Sequence, residues 1–418
     1  MKYKFHINAA RLGFTIAVIS FFMISSFGMA QSLEKYLDQA AKNNPGLKAK
    51  YTEFEAALQR IPQVSSLPDP SLSFGYFVSP VETRIGPQKA RFSLTQMFPW
   101  FGTLAAQKDA ATLSAEAKYQ AFLDAKNLLF FQVTAAWYPL YELNEMLRLQ
   151  NENYEILTTY KQLATTAFSN AKGSMVDVIR VDIMIDNSAT DIMLLKEKLR
   201  PLRTAFNKLL NRPEWSSIEV ASALDISGME TGIDGDSLFA ENPMLKSFDL
   251  KIKSAEAQEK AAFRHGLPKF GIGLSYILVD ERPDLNIADN GKDAFMPMLS
   301  MTIPLFRKKY RAAVKEARLN QTRFTLNKSN LENNLLSAYD LANYKMEQAK
   351  QRHILYGEQI SKTRQAIDLL HSAYGNSGKD FEEVLRMQQQ LLRYEMSKAT
   401  AVKEYYTAEA QRKYITGR

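Results

Sequence analysis

The 418-residue sequence predicts a mainly α-helical protein made of two copies of one unit, each copy carrying two short β-strands between long helices. Three observations carry that prediction: an ordered internal repetition, two very long runs free of helix breakers, and paired segments in which apolar residues alternate with small or polar ones. With 46% hydrophobic residues the chain has ample material for burial, so most of it is expected to be ordered.

The first thirty residues stand apart. Lys2, Lys4 and Arg11 precede the apolar run "LGFTIAVISFFMISSFGMA", which ends on small residues at Gly28 and Ala30 before the polar "QSLEKYLDQA". That order of charge, apolar core and small residues predicts a secretory signal peptide over 1–30, cut near Gln31. Removing its three positive charges lowers the net charge from +8 to +5, too mild a surplus for a nucleic-acid-binding field. The absence of cysteine excludes disulfides, thiolate metal sites and cysteine nucleophiles.

Repetition decides the architecture. "NNPGLK" at 43–48 recurs as "ENPMLK" at 241–246, and Pro68 and Tyr76 recur as Pro268 and Tyr276. "LTQMFPWF" at 94–101 answers "LSMTIPLF" at 299–306, and "AFSNAKGSMVDV" at 167–178 answers "AYGNSGKDFEEV" at 373–384. The matches keep their order while the shift drifts only from 198 to 206 residues, which predicts a first copy over 31–211, a linker over 212–240 and a second copy over 241–418.

Within each copy the helices come from punctuation. Between Thr103 and Lys172 there is no glycine and one proline, Pro139; between Leu305 and Gly357 there is neither. Seventy such residues at 1.5 Å each reach roughly 100 Å. Phe122, Ala125, Leu129, Val133, Ala136, Leu140, Leu143 and Leu147 advance by three or four residues and predict a packing stripe, with a kink or loosening at Pro139. The second long helix is more polar, and Asn320, Asn327, Asn330, Asn333 and Asn334 predict a flank in water.

The strands are expected at about 71–79, 90–98, 269–279 and 295–304. Leu72, Phe74, Tyr76, Phe92, Leu94, Ile272, Leu274 and Tyr276 fall on the apolar faces; Ser71, Ser73, Gly75, Ser93, Gly271, Gly273 and Ser275 fall on the small faces. Roughly ten tilted residues match the ~25 Å apolar band of an outer membrane. The loops between paired strands, "SPVETRIGPQKA" and "DERPDLNIADNGKDA", are polar and rich in turn formers. Four strands cannot close a barrel, and lipid does not tolerate an open edge, so a spanning sheet of this kind requires several chains.

With its signal peptide, tandem duplication, two strands per copy between very long helices, and a glycine-containing turn before Asp177-Val178 and Glu383-Val384, the chain resembles the TolC-type outer-membrane efflux channels over nearly all of its mature length. The resemblance implies a homotrimer whose twelve strands close one barrel, with an α-helical barrel in the periplasm. It also implies helix tips at 170–178 and 376–384 that meet a periplasmic adaptor, or membrane fusion, protein coupled to an inner-membrane pump. Gly173, Ser174, Asp177, Gly378 and Asp380 are then the candidate adaptor contacts, and Tyr374, Lys379, Glu383 and Arg386 the candidate periplasmic gate. Arg386 stands where the family often has a second acid. The family's glycine, six before the acid, is here Ala171 and Ser377.

Other chemistry is thin. There is no phosphate loop, "HExxH" or "GxSxG", and the mature chain has only His265, His353 and His371, so no enzyme activity and no cofactor are expected. Asp182 and Asp186 read as a solvated face. Met296 and Met298 share a strand face and Met301 lies opposite, which argues against a three-sulfur site for soft metal, although thioethers suit Cu(I). Asp280, Glu281, Asp284, Asp289 and Asp293 could hold Ca²⁺ but read as solvated loop charge. Two functions remain in view: an outer-membrane transport channel, and a periplasmic coiled-coil adaptor or scaffold whose strands form a soluble domain.

Overall fold

The computed structural model describes residues 30–220, 224, 226, 238–284, 286–377 and 381–417. The expected signal peptide, apart from Ala30, and the candidate residues Gly378, Lys379 and Asp380 lie outside them. The elements run α1 Ala30–Asn43, α2 Pro45–Ser65, β1 Ser71–Val81, β2 Gln88–Phe98, α3 Thr103–Ser169 and α4 Met175–Leu209. They continue with α5 Pro243–His265, β3 Lys269–Val279, β4 Ala294–Thr302, α6 Lys308–Ser377 and α7 Phe381–Thr416. The order of helix, two strands, long helix and returning helix therefore occurs twice.

The chain divides into two compact units, each drawing on both sequence copies. Of the described residues, one unit comprises those up to 49, within 124–242 and within 334–418; the other comprises those within 50–123 and 243–333.

In the first unit the repeated Asn-Pro has a structural reason. Asn44 caps α2, accepting from Leu47 N at 3.0 Å, and Pro45 follows at a position where a missing N–H costs nothing. The Asn44 amide also donates to Leu209 O at 2.9 Å, and its counterpart Asn242 donates to Ile415 O at 2.9 Å. Each Asn thus ties the start of its copy to that copy's last helical turn. The expected stripe of α3 packs: Leu129, Val133, Leu140 and Leu143 are buried, and Phe122, Ala125, Ala136 and Leu147 half-buried. The helix runs unbroken through Pro139, flanked by buried Tyr138 and Leu140. On α6, Asn327, Asn330, Asn333 and Asn334 are exposed and Asn320 is half-buried.

The segment expected as a linker is held down where it is described. Glu219 N donates to the Tyr36 hydroxyl at 2.8 Å, and Trp137 Nε1 donates to Glu219 O at 3.2 Å. Ile226 is fully buried in a cluster with Met346, Ala349, Tyr405 and Ala408. An apolar residue inside a polar stretch is enough to anchor it, which composition alone does not reveal.

The second unit carries one antiparallel sheet in the order β1-β2-β3-β4, so the central β2–β3 pair joins the two sequence copies. β1 and β2 each extend two residues beyond the alternating pattern because Val81 pairs with Gln88 past an irregularity between Tyr76 and Val81.

Candidate functional site

The sheet has two unlike faces. Leu72 lies opposite Leu94, Phe74 opposite Phe92, Leu94 opposite Leu274, and Phe92 opposite Tyr276. All eight apolar strand residues picked out by alternation therefore share one face. Seven of them are exposed, Phe74 at 62% and Ile272 at 59%, and Tyr276 is half-buried. β4 extends this face with Phe295 and Leu299, the latter 88% exposed. Phe74 and Phe92 rings meet at 4.9 Å, and Tyr276 and Phe295 at 4.8 Å, so the face is an organised aromatic and aliphatic surface. A soluble sheet would bury such a face; this one is covered by nothing among the described residues.

The other face is small and polar, and close-packed in its centre. Ser93 and Ser275 hydroxyls lie 2.9 Å apart, Arg91 Nε donates to Ser275 Oγ at 2.7 Å, and Arg91 Nη2 reaches Met298 Sδ at 3.4 Å. Met296 and Met298 stand opposite Ser275 and Gly273 on this face, and Met301 stands opposite Phe270 on the apolar face. The Arg91 cation beside Met298 opposes capture of a metal cation there. Met97 lies over Gly271, where an added Cβ would collide with its sulfur and with Ser300 Oγ, so glycine at 271 is what lets neighbouring strands' side chains fold across β3.

The two interstrand loops are joined. Gly291 N donates to Ile85 O at 2.7 Å and Asp280 N to Pro87 O at 2.8 Å. Gly86 adopts φ +132°, and a Cβ there would strike the Asp280 carbonyl, so both conformation and space demand glycine. The acids of the second loop are mostly engaged singly: Asp280 with Lys89, Asp284 with Arg282, Asp289 with Lys292, and Asp293 with the Tyr276 hydroxyl and Val279 N.

The helical tip belongs to the other unit. α3 ends on Lys172 N to Ala167 O at 2.9 Å and Ala171 N to Phe168 O at 3.0 Å, with Ala171 at φ 55°. This is the left-handed C-terminal turn that glycine normally occupies, placed at the position where the resemblance expects one. Ala171→Gly is expected to stabilise the tip by about 1 kcal/mol, measured as a rise in the tip's amide protection; unchanged or lowered protection would rule out strain at Ala171.

Ser174 and Asp177, candidate adaptor contacts, form a capping box on α4. Val176 N donates to Ser174 Oγ at 3.1 Å, and Ser174 N donates to Asp177 Oδ2 at 3.4 Å. Gly173 lies against Ala167, whose Cβ an added side chain would meet at 2.9 Å. Beside them Met175, Val176, Ile179 and Ile183 make an exposed apolar stripe that the helix pattern does not single out. Arg180 bridges α4 to α7 through Glu382 at 2.8 Å, and Asp182, expected on a solvated face, pairs with Lys161 at 2.5 Å.

Of the candidate gate residues, Tyr374 is the one enclosed by its neighbours. It is only 6% exposed, inside a core of Leu157, Tyr160, Val178, Val181, Phe381 and Val384, rather than on a surface. Burial, and then the Asp177 carboxylate, push its phenol pKa up, and its hydroxyl has no partner among the described residues. Nearby Tyr160 is pushed to about 12 by burial, so its hydroxyl stays protonated; it lies 2.8 Å from His371 Nε2. Glu383 and Arg386 pair with each other at 2.5 Å, with Arg386 exposed.

No protein-family model and no curated protein matches the sequence. Solved structures match closely in shape. The outer-membrane channel OprN superposes with a TM-score of 0.76 at 17% identity, covering 93% of this chain and 90% of that one. VceC from Vibrio cholerae gives 0.73 at 14%, covering 93% and 96%. The open-state MtrE outer-membrane channel of Neisseria gonorrhoeae gives 0.72 at 18%, covering 92% and 89%. Over nearly its whole described length, then, this chain has the fold of these outer-membrane channels.

Proposed function

We propose that this chain is one subunit of a homotrimeric outer-membrane channel in a tripartite efflux system, a passive exit for molecules driven by an inner-membrane pump. The observation that carries the reading is the sheet: an uncovered apolar face bounded by two edge strands, β1 and β4, with no further strand beside them among the described residues. In water the face is unfavourable; in lipid the face is satisfied but the edges are not. Joining β1 of one copy to β4 of the next resolves both, and three copies of four strands give a closed twelve-stranded barrel. The shared fold with outer-membrane channels supports this outcome over a soluble adaptor or scaffold, which would need the apolar face buried.

On this reading the apolar face meets lipid, the small face lines the pore, and the helical part lies in the periplasm. The tip is the contact for a periplasmic adaptor, through Gly173, Gly378 and Asp380 and the apolar stripe from Met175 to Ile183. Because Ser174 and Asp177 are occupied in capping, their contribution is to hold the tip's shape. Glu383, Arg386 and Lys379 remain the candidate gate charges.

Fractionation tests the reading. The mature protein should require detergent for release and should then have the mass of a trimer. Release by salt or osmotic shock, or a monomeric detergent-extracted species, would overturn it.

A further inference from the structure

All four helices of the sheet-bearing unit contribute to one partly open groove of about 920 Å³, with buried and half-buried alanines of α3 and α5 at its floor. Its charged lining is of one sign: Arg60 on α2, Lys118 on α3, Lys269 at the start of β3 and Lys309 on α6, with no aspartate or glutamate among the described residues that line it. Lys118 reaches Glu53 at 3.4 Å; Arg60, Lys269 and Lys309 have no carboxylate within ion-pair distance among the described residues. His265 sits among them with Nε2 2.7 Å from the Gln107 amide, and burial, then the Lys269 charge, lower its pKa, so it adds no opposing group and stays neutral at pH 7.

The side of the sheet on which this groove opens is settled by register. Lys269 stands two and four residues before Gly271 and Gly273 and shares their face, and Arg91, opposite Ile277, lies on that face too. The basic lining of the helices therefore continues onto the small face of the strands and away from the apolar one.

We infer that this continuous face is an anion-selective stretch of the pore, which concentrates small anions and the carboxylate, sulfonate or phosphate groups of exported molecules and repels cations. The inference rests on the channel reading for the word pore, but the groove's preference can be measured without it. Like-signed charges around a cleft with low-dielectric walls raise the local concentration of counter-ions by about ten-fold or more at low salt. Residues 60, 118, 269 and 309 come from both sequence copies, so only the folded unit assembles the field.

The absence of cysteine makes the test clean, since Ala262→Cys on the half-buried groove floor is then the only thiol. In detergent-purified protein its reaction rates with an anionic methanethiosulfonate (the ethylsulfonate) and a cationic one (the ethyltrimethylammonium) are compared with those of a free thiol. The anionic-to-cationic ratio should exceed the free-thiol ratio by about ten-fold at low salt and fall toward it as ionic strength rises. Adding Lys269→Glu and Lys309→Glu should bring it to or below the free-thiol value; if that variant fails to fold, the salt series on the single-cysteine protein is decisive alone. A ratio at or below that of the free thiol, a ratio insensitive to salt, or a thiol unreactive to both reagents would overturn the inference. Failure of the channel reading shows separately, as a monomeric detergent-extracted species, and leaves these rates interpretable.

Discussion

Arginine in place of Leu274 is expected to remove the protein from the outer membrane. Leu274 is the middle residue of β3, 47% exposed on the apolar face, and it is paired on both sides, with Leu94 and with Pro297. Hydrogen bonding to two neighbouring strands prevents β3 from turning the side chain away. An arginine near the bilayer midplane costs about 2–4 kcal/mol, and three copies bring the penalty to about 6–12 kcal/mol per trimer, comparable to the stability of a folded domain. Ser73→Arg is the matched control. It lies in β1 opposite Ser93 on the small face, so the charge would enter a polar interior, and the trimer should insert at normal levels with altered conductance. The readout is the amount of detergent-extracted trimer in outer-membrane fractions. Wild-type levels of Leu274→Arg trimer would show that this face does not meet lipid.

Phe381→Ala is expected to melt the helical tip while leaving the rest of that unit folded. Phe381 is 3% exposed, with its ring 4.9 Å from Tyr374 and 6.1 Å from Tyr160, in a cluster that brings the ends of α3, α4, α6 and α7 together. Removing a buried phenylalanine costs about 3–5 kcal/mol. The penalty falls on a cluster near helix ends, where fewer neighbours can compensate, so amide protection should be lost over the tip. Protection around the Tyr36–Phe206 contact, whose rings meet at 5.1 Å, should remain. Phe168→Ala, at a residue 46% exposed beside the same turn, should change protection little. Equal effects of the two substitutions, or no loss at Phe381→Ala, would mean that the cluster does not hold the tip.

Much of this is legible without coordinates. The alternation at 71–79 and 269–279 assigns each strand residue to a face, because a strand's side-chain period is two and a register slip would flip the whole set. The absence of glycine from Thr103 to Lys172, and of glycine and proline between Leu305 and Gly357, marks helices that the structure shows as α3 and α6, the former running on through Pro139 and the latter through Gly357. What sequence reasoning misses at the tip follows from the same rules. A helical residue's spacing says that it lies on a stripe, but not whether that stripe meets another helix or open space, and so Tyr374 reads as well for a gate as for a core. Ser174 and Asp177 read as contact residues, although their three-residue spacing before an apolar run is itself a capping signal. Ala171 gives no local sign, because alanine is ordinarily a helix former and only the observed φ of 55° shows the turn it has to make.

The sequence by itself determined the duplication, the element types and the two faces of each strand, all of them set by periodicity and by breakers within a few residues of chain. Only the tertiary structure decided which residues distant in the chain meet. It joined β2 to β3, tied Asn44 to Leu209 and Asn242 to Ile415, buried Tyr374, and gathered Arg60, Lys118, Lys269 and Lys309 around one groove. The physical reason is one of range. Steric and hydrogen-bonding preferences act between near neighbours in the chain and leave a pattern there, whereas burial and charge act between whichever groups the packed helices bring within a few ångströms, however distant in sequence.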